Sequence, residues 1–341
     1  MAARMYERGG SPIIPVFVPH LGCPRDCVFC NQRSIAAARE PDMDELHALI
    51  REGIGKVGAL PELAFYGGSF TAIDAGRQEE YLRAAYEYVK SGQLSSVRIS
   101  TRPDCVDAAA LDRLRRYGVG TVELGAQSME DSVLIKSNRG HLARDTRKAA
   151  ALVKAYGFTL GLQMMIGLPG ENEGSAEYTA REIIGCGPDL VRIYPTAVIR
   201  NTALEKMYLE GRYTPLETDE AAEICAGLIP LFEEAGIRVI RIGLNPTEEL
   251  SGEVAAGVYH PAFGELCKSK LYLKNAEAEL CKLAGCVPDT VTIAVGRGRT
   301  SMMVGQRKCN VNRLKERYGI KRIKVIEGDI DGYAAVLCPP L

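Results

Sequence analysis

Between residues 13 and 242 short β-branched apolar runs alternate with longer segments whose apolar positions recur at helical spacing. That alternation is the pattern of repeated βα units around a parallel sheet, and it predicts an α/β fold. Strands are expected at Ile13–Val18, Leu63–Tyr66, Val97–Ser100, Thr121–Leu124, Leu160–Ile166 and Leu190–Tyr194. Helices are expected near Asp44–Lys56, Arg77–Val89, Ala108–Tyr117, Ala143–Tyr156 and Ala176–Ile184, with Gly118 and Gly157 placed where helices commonly end. A further helix near Asp219–Ala235 leads into a strand at Arg238–Ile242, after which the segment 252–285 reads as mostly helical. The tail reads as strands at Thr292–Val295 and Ser301–Val304, a helix at Val311–Tyr318, and strands at Arg322–Ile326 and Tyr333–Leu337. Three parts follow: 1–245 as the βα body, 246–286 as a helical extension, and 287–341 as a small basic α+β lobe.

Composition narrows the class. With 46% hydrophobic and 25% charged residues the chain is an ordinary globule, and a net charge of −1 argues against a uniformly basic nucleic-acid binder or a membrane-surface protein. No apolar run reaches the length of a membrane span and the first ten residues lack a secretory apolar stretch, so a cytoplasmic location is expected. Charge is nevertheless uneven. Residues 296–325 carry ten Lys and Arg against a single acid, Glu316. Such a patch is either a solvated face or a surface for an anion such as RNA.

The cysteines carry the clearest chemistry. Three of eleven fall at Cys23, Cys27 and Cys30, in a loop directly after the first strand, where βα barrels place their active sites. Three thiolates would bind three irons of a [4Fe–4S] cluster and leave the fourth iron open, whereas electron-transfer clusters are usually closed by four Cys. A zinc site with His20 as its fourth ligand and three unrelated thiols are the alternatives. Cys267, Cys281, Cys286 and Cys309 are candidates for a second cluster, although their spacing matches no defensible pattern.

The Cys-x3-Cys-x2-Cys loop resembles that of the radical S-adenosylmethionine (SAM) enzymes. In that superfamily SAM chelates the open iron, and an electron from the cluster cleaves its sulfonium to a 5′-deoxyadenosyl radical. The resemblance implies a partial (β/α)6 TIM-like barrel, with the C-terminal helical extension and small α+β lobe appended. It further implies a cluster on Cys23, Cys27 and Cys30, and SAM contacts from Phe29, from the glycine pair Gly67-Gly68, and from Ser100, Arg102, Gln127, Arg139, Gln163 and Ile166. Ser100 stands where many members have Glu, and Gln163 where the coproporphyrinogen dehydrogenase branch has Asp.

Within the superfamily the chain is most similar to the radical domain of the Elongator catalytic subunit. The likeness rests on Thr101-Arg102-Pro103-Asp104, on Gln127-Ser128 leading to Asn138-Arg139-Gly140-His141, on Gly167-Leu168-Pro169-Gly170, and on the run Arg192 to Ile199 with Thr202-Ala203-Leu204. No stretch resembles the acyl-CoA loop of that subunit's acetyltransferase domain, so the radical chemistry is implied and acetyl transfer is not. Three functions are open: radical chemistry on RNA or tRNA docked by the patch 296–325, the same chemistry on a porphyrin-like or peptide small molecule, or a non-catalytic iron–sulfur or SAM-binding carrier. The resemblance also implies an electron donor such as flavodoxin or ferredoxin and no membrane partner.

Overall fold

The computed structural model describes residues 12–18, 23, 26–31, 40–245, 248–283 and 287–337. His20 and Cys286 lie outside them. All the expected strands of the βα body form: β1 (Ile13–Val18), β2 (Glu62–Gly67), β3 (Ser96–Thr101), β4 (Val119–Gln127), β5 (Thr159–Ile166) and β6 (Leu190–Pro195). Two further strands follow, β7 (Ala197–Ile199) and β8 (Arg238–Ile242). The main sheet runs β1-β2-β3-β4-β5-β6-β8 and every pairing in it is parallel. Crossovers that return each strand beside its predecessor curl such a sheet into a half-barrel with helices outside.

Local chemistry sets the helix boundaries. Asp42 caps the helix Met43–Lys56 in a capping box with Glu45, Asp74 accepts from the first turn of Ala75–Lys90, and Asp107 does so for Ala108–Arg116. The outward side chains of the strands, among them Leu63, Phe65, Val97, Ile99, Val122, Leu124, Leu160, Leu162, Val191 and Ile193, are all buried. Alternate positions carry Glu62, Arg98, Glu123, Gln163 and Arg192 on the opposite, inner face, which is therefore polar.

The segment after β8 is not purely helical. The strand β9 (Val254–Gly257) pairs antiparallel with β7, a small ribbon that the helical reading of 252–285 passed over. A four-residue strand gives too short a pattern to be recognised from periodicity.

By internal contacts the chain forms two units, one of 1–218 with 228–261, the other of 219–227 with 262–341. These limits differ from a boundary at 286/287. Tyr272, Leu273, Ala276 and Leu280 of the helix Phe263–Cys281 share one apolar core with Val291, Ile293, Met303, Leu314 and Ile320, so that helix belongs with the lobe. In the lobe β10 (Thr290–Val295) is central, flanked by parallel β11 (Arg322–Glu327) and antiparallel β12 (Ala334–Leu337). The strand expected at Ser301–Val304 is instead a helix, Thr300–Val304. Its Met302 and Met303 are both buried, and a short apolar run cannot be assigned to strand or helix by periodicity alone.

Asn310 pins this lobe. Its side-chain nitrogen donates to Ser269 O (2.9 Å), Ser269 Oγ (3.0 Å) and Met302 O (3.2 Å), joining three helices. Asn310→Ala removes those bonds from a buried site and should destabilise the lobe by about 1–3 kcal/mol. Hydrogen exchange of Cys309–Tyr318 amides is the check, with faster exchange expected there and no change in β2–β5.

Candidate active site

A cavity of about 200 Å³ opens at the C-terminal ends of the central strands, lined by Cys23, Cys27 and Cys30 and by strand-end residues of β2, β3, β4 and β5. Of the candidate residues, Phe29, Gly67, Gly68, Ser100, Arg102, Gln127, Arg139 and Gln163 all line it with the cysteines. Ile166 does not. It is fully buried, and its carbonyl accepts from Thr196 N (2.9 Å) and Thr196 Oγ1 (2.8 Å).

The cysteine loop is held from outside itself. Val28 N donates to Ser137 O (3.2 Å), Asn138 Nδ2 to Asp26 O (2.8 Å), Leu204 N to Val28 O (2.8 Å) and Asn31 Nδ2 to Arg200 O (3.0 Å). Ser137, Asn138 and Arg200 escaped the sequence reading as site residues. Only the position of Asn138 beside Arg139 could have indicated it.

Two guanidinium groups reach the buried Cys27. Arg139 Nη1 lies 3.2 Å and Arg102 Nη1 4.0 Å from its Sγ. Arg139 also donates to Gly125 O (2.6 Å) and, through Nε, to His141 Nε2 (3.3 Å). Arg102 is fixed by two 2.9 Å bonds to Asp104 and by one to Arg139 O. Burial first and then the Arg139 charge push the His141 pKa down to about 4, so the imidazole is neutral at neutral pH and accepts from Arg139. Among the described residues no cysteine is in a disulfide, and no three His, Cys, Asp or Glu side chains converge as one metal ion requires.

Backbone geometry at the strand ends is unusual. Gly67 has φ 114°, and a Cβ there would meet Val18 O at 2.7 Å, so the first glycine of the pair is needed for the approach of β1. Gln127 has φ 67°, left-handed for a residue with a side chain, at a register shift of β4 against β5. Its Oε1 accepts from Gln163 Nε2 (3.1 Å), which ties the ends of those strands together. Non-glycine residues in that region mark places the surrounding fold determines strongly.

Below the cavity lies a charged network that the sequence reading missed. Glu123 accepts from Arg98 Nη1 (2.7 Å), from Arg192 Nε (2.7 Å) and from Arg192 Nη2 (3.0 Å). Arg98 donates onward to Glu62 (2.8 Å), and Arg192 to the Tyr66 hydroxyl (2.8 Å). Gly161 leaves room for Glu123, because a Cβ there would come within 2.8 Å of its Cγ. Burial alone would raise the Glu123 pKa, but the charges of Arg192 and Arg98 outweigh it and hold the carboxyl below its ordinary value.

The described second-cluster candidates, Cys267, Cys281 and Cys309, do not assemble. Cys267 is buried beside the Cys225 thiol, Cys281 Sγ lies 3.4 Å from the Tyr318 hydroxyl and Cys309 Sγ 3.6 Å from Asn310 Oδ1.

A parallel half-barrel with a three-cysteine cavity at its C-terminal edge defines a class, and comparison with known proteins agrees: the chain belongs to the radical SAM superfamily and is an enzyme of that family. Residues 17–183 match the Radical SAM superfamily and residues 188–273 the Radical_SAM C-terminal domain. The tRNA uridine(34) acetyltransferase of Dehalococcoides mccartyi is 28% identical over 69% of this chain and 59% of its own length. That of Methanocaldococcus jannaschii is 31% identical over 51% of this chain and 36% of its own length. The chain thus spans between about a third and three fifths of these relatives. Archaeal Methanocaldococcus infernus Elp3 with its N-terminus deleted superposes with a TM-score of 0.62 at 23% identity, covering 78% of this chain and 63% of that one, and shares the half-barrel fold. Among the described residues no helix is long and apolar enough to cross a membrane.

Glu123→Gln would leave the Arg98 and Arg192 charges short of a carboxylate in a buried site, at a cost of about 3–5 kcal/mol in urea denaturation. A lowered native pKa stabilises the fold at pH above the usual carboxylate value of 4.5 and ceases to do so as pH falls through the native value. Wild-type protein should therefore lose stability as the pH falls from about 4.5 through the lowered native value, with a shallower dependence in the variant.

Proposed function

We propose that the protein binds a [4Fe–4S] cluster and SAM in this cavity and performs radical chemistry on RNA, with tRNA as the first candidate. Cys23, Cys27 and Cys30 are the proposed cluster ligands. The observation that carries the reading is that the three thiols and two buried guanidinium groups share one cavity at the C-terminal strand ends. A cluster with an open iron supplies, when bound, the electron that cleaves SAM to a 5′-deoxyadenosyl radical.

The chain's own residues have distinct tasks in this reading. Arg139, held by Gly125 O and neutral His141, presents a guanidinium to anionic sulfur and to a carboxylate in its reach. Gly67 and Gly68 expose backbone close to a ligand, and Gln127 with Gln163 offer amide groups for a ribose or a base. The Glu123 network forms the floor, where fixed charges replace mobile water. An RNA substrate is supported by the names of the relatives, which act on tRNA uridine 34. Acetyl transfer is left aside because the chain spans only part of those proteins. A small flavodoxin or ferredoxin is the proposed electron donor.

Anaerobic reconstitution with iron and sulfide, followed by dithionite and SAM, should yield 5′-deoxyadenosine, and bulk tRNA should raise the yield. Cys27→Ser should lose iron and the brown absorbance while keeping its circular dichroism, since exchanging sulfur for oxygen is nearly isosteric and leaves the backbone bonds of the loop to Ser137 and Leu204 in place. Zinc in place of iron, or no 5′-deoxyadenosine, overturns the radical reading. Yield indifferent to tRNA overturns the RNA assignment and points to a small substrate.

A further inference from the structure

The structure sorts the ten basic residues of 296–325 into two groups. Arg297 faces Asp329 (3.9 Å), Arg313 and Arg317 face Glu277 (3.4 and 2.9 Å), and Lys321 faces Asp289 (2.6 Å). Arg299, Arg307, Lys308, Lys315, Arg322 and Lys324 form no ion pair among the described residues. Two of these six are neighbours in one connecting loop, Gly305 with the kinked 3-10 turn Gln306–Lys308, which joins the helices Thr300–Val304 and Cys309–Tyr318. Both are exposed.

That loop is strained in a particular way. Arg307 has φ 49° and ψ 30°, and Lys308 φ 63° and ψ 26°, two consecutive left-handed residues of which neither is glycine. Glycine would adopt the same backbone without the steric penalty. The connection is also crowded at its first residue: Gly305 has positive φ (75°), and a Cβ there would lie 2.5 Å from Cys309 Sγ and 3.0 Å from Asn310 Cγ. Asn310 is fastened by its three hydrogen bonds to Ser269 and Met302. The fold thus holds two cations side by side at a place where backbone sterics alone would favour glycines.

Helix, four-residue loop opening on glycine, second helix and a backing three-stranded sheet are also the parts of a KH module, whose GXXG loop clamps four backbone nucleotides of a single strand. Lys308 stands at the second glycine position, in a left-handed conformation that glycine adopts readily. Duplex-binding modules instead span about 16 base pairs across two grooves. We propose that the 305–308 loop grips the sugar–phosphate backbone of single-stranded RNA, with Arg307 and Lys308 on phosphates, so that the lobe recognises a strand rather than a sequence. The proposal rests on the RNA reading above for the nature of the partner, and on the lobe alone for the place and mode of binding.

The test uses the full chain and a fluorescent ten-nucleotide single-stranded RNA, with its duplex as competitor, over a range of salt concentrations. The double variant R307G/K308G keeps the backbone the loop needs and removes both charges. Its Kd should rise about tenfold or more, and its salt slope should shrink by about 1.4, from roughly 0.7 per phosphate on a single strand. Its melting temperature should not fall. R307Q/K308Q, which keeps side chains at both positions, should lose affinity equally, while R313A/R317A, whose cations face Glu277, should change it less than twofold. Unchanged affinity and slope in both loop variants, or duplex bound as tightly as single strand, overturns the proposal. The Cys27→Ser protein should bind the RNA normally and R307G/K308G should still form 5′-deoxyadenosine, so a failure of the loop and a failure of the radical reading are read separately.

Discussion

The carboxylate of Glu123 between two guanidinium groups is the contact around which the half-barrel is built. Parallel sheets covered on both faces usually read as apolar on both, yet here the inner face carries Glu62, Arg98, Glu123 and Arg192, all buried. Removing isolated charges from water costs several kcal/mol each, so these are tolerable only as a mutually bonded set. The set has a geometric consequence. Arg98 on β3, Glu123 on β4 and Arg192 on β6 are tied together from inside, which limits how far the strands can splay at the mouth. A packed apolar interior would serve stability equally well. Fixed charge beneath the cavity gives it a floor whose dipoles are already oriented.

Arg139 transmits that order upward. It touches the carbonyl of Gly125, the imidazole of His141 and the thiol of Cys27 at once, and its own carbonyl receives Arg102. The short helix Asp131–Lys136 brings the chain back over the strand end, and Ser137 and Asn138, just before Arg139, bond the backbone of the cysteine loop. The spacing from Gln127 to Arg139 is therefore a structural length, the distance needed to leave β4, turn once and return to the loop. Side chains held by such outer contacts keep their geometry when the loop itself has few.

Much of this was legible in the sequence, and the exceptions share a cause. The βα strands and helices announced themselves because each has a long run with one period and most have a cap. The cysteine loop showed in its own spacing, but Gly67, Gly68, Arg102, Gln127 and Arg139 could be gathered around it only through the resemblance, since nothing local says that residues from four strands meet. Val-Arg-Ile, Val-Glu-Leu and Val-Arg-Ile-Tyr do alternate, but alternation does not say whether the polar side faces water or a closed interior. The helix Thr300–Val304 and the ribbon strand Val254–Gly257 were missed because five and four residues hold too little pattern to choose a period. The place of the helix Phe263–Cys281 depends on which core it enters, and that is a tertiary fact.

The charge distribution bears on how such a molecule would meet RNA. The whole chain is close to neutral, so the strong positive excess of 296–325 is balanced by acids elsewhere. Long-range attraction to a polyanion is correspondingly weak, and beyond a Debye length of about 8 Å at physiological salt it is screened further. What remains is contact at short range, by cations not already committed to carboxylates of their own surface. The lobe's ion pairs to Glu277 and Asp289 thus matter as much as its total charge, because they subtract from the patch and leave the adjacent pair Arg307-Lys308 among its uncommitted cations. Local placement, rather than net charge, decides where a strand would be held.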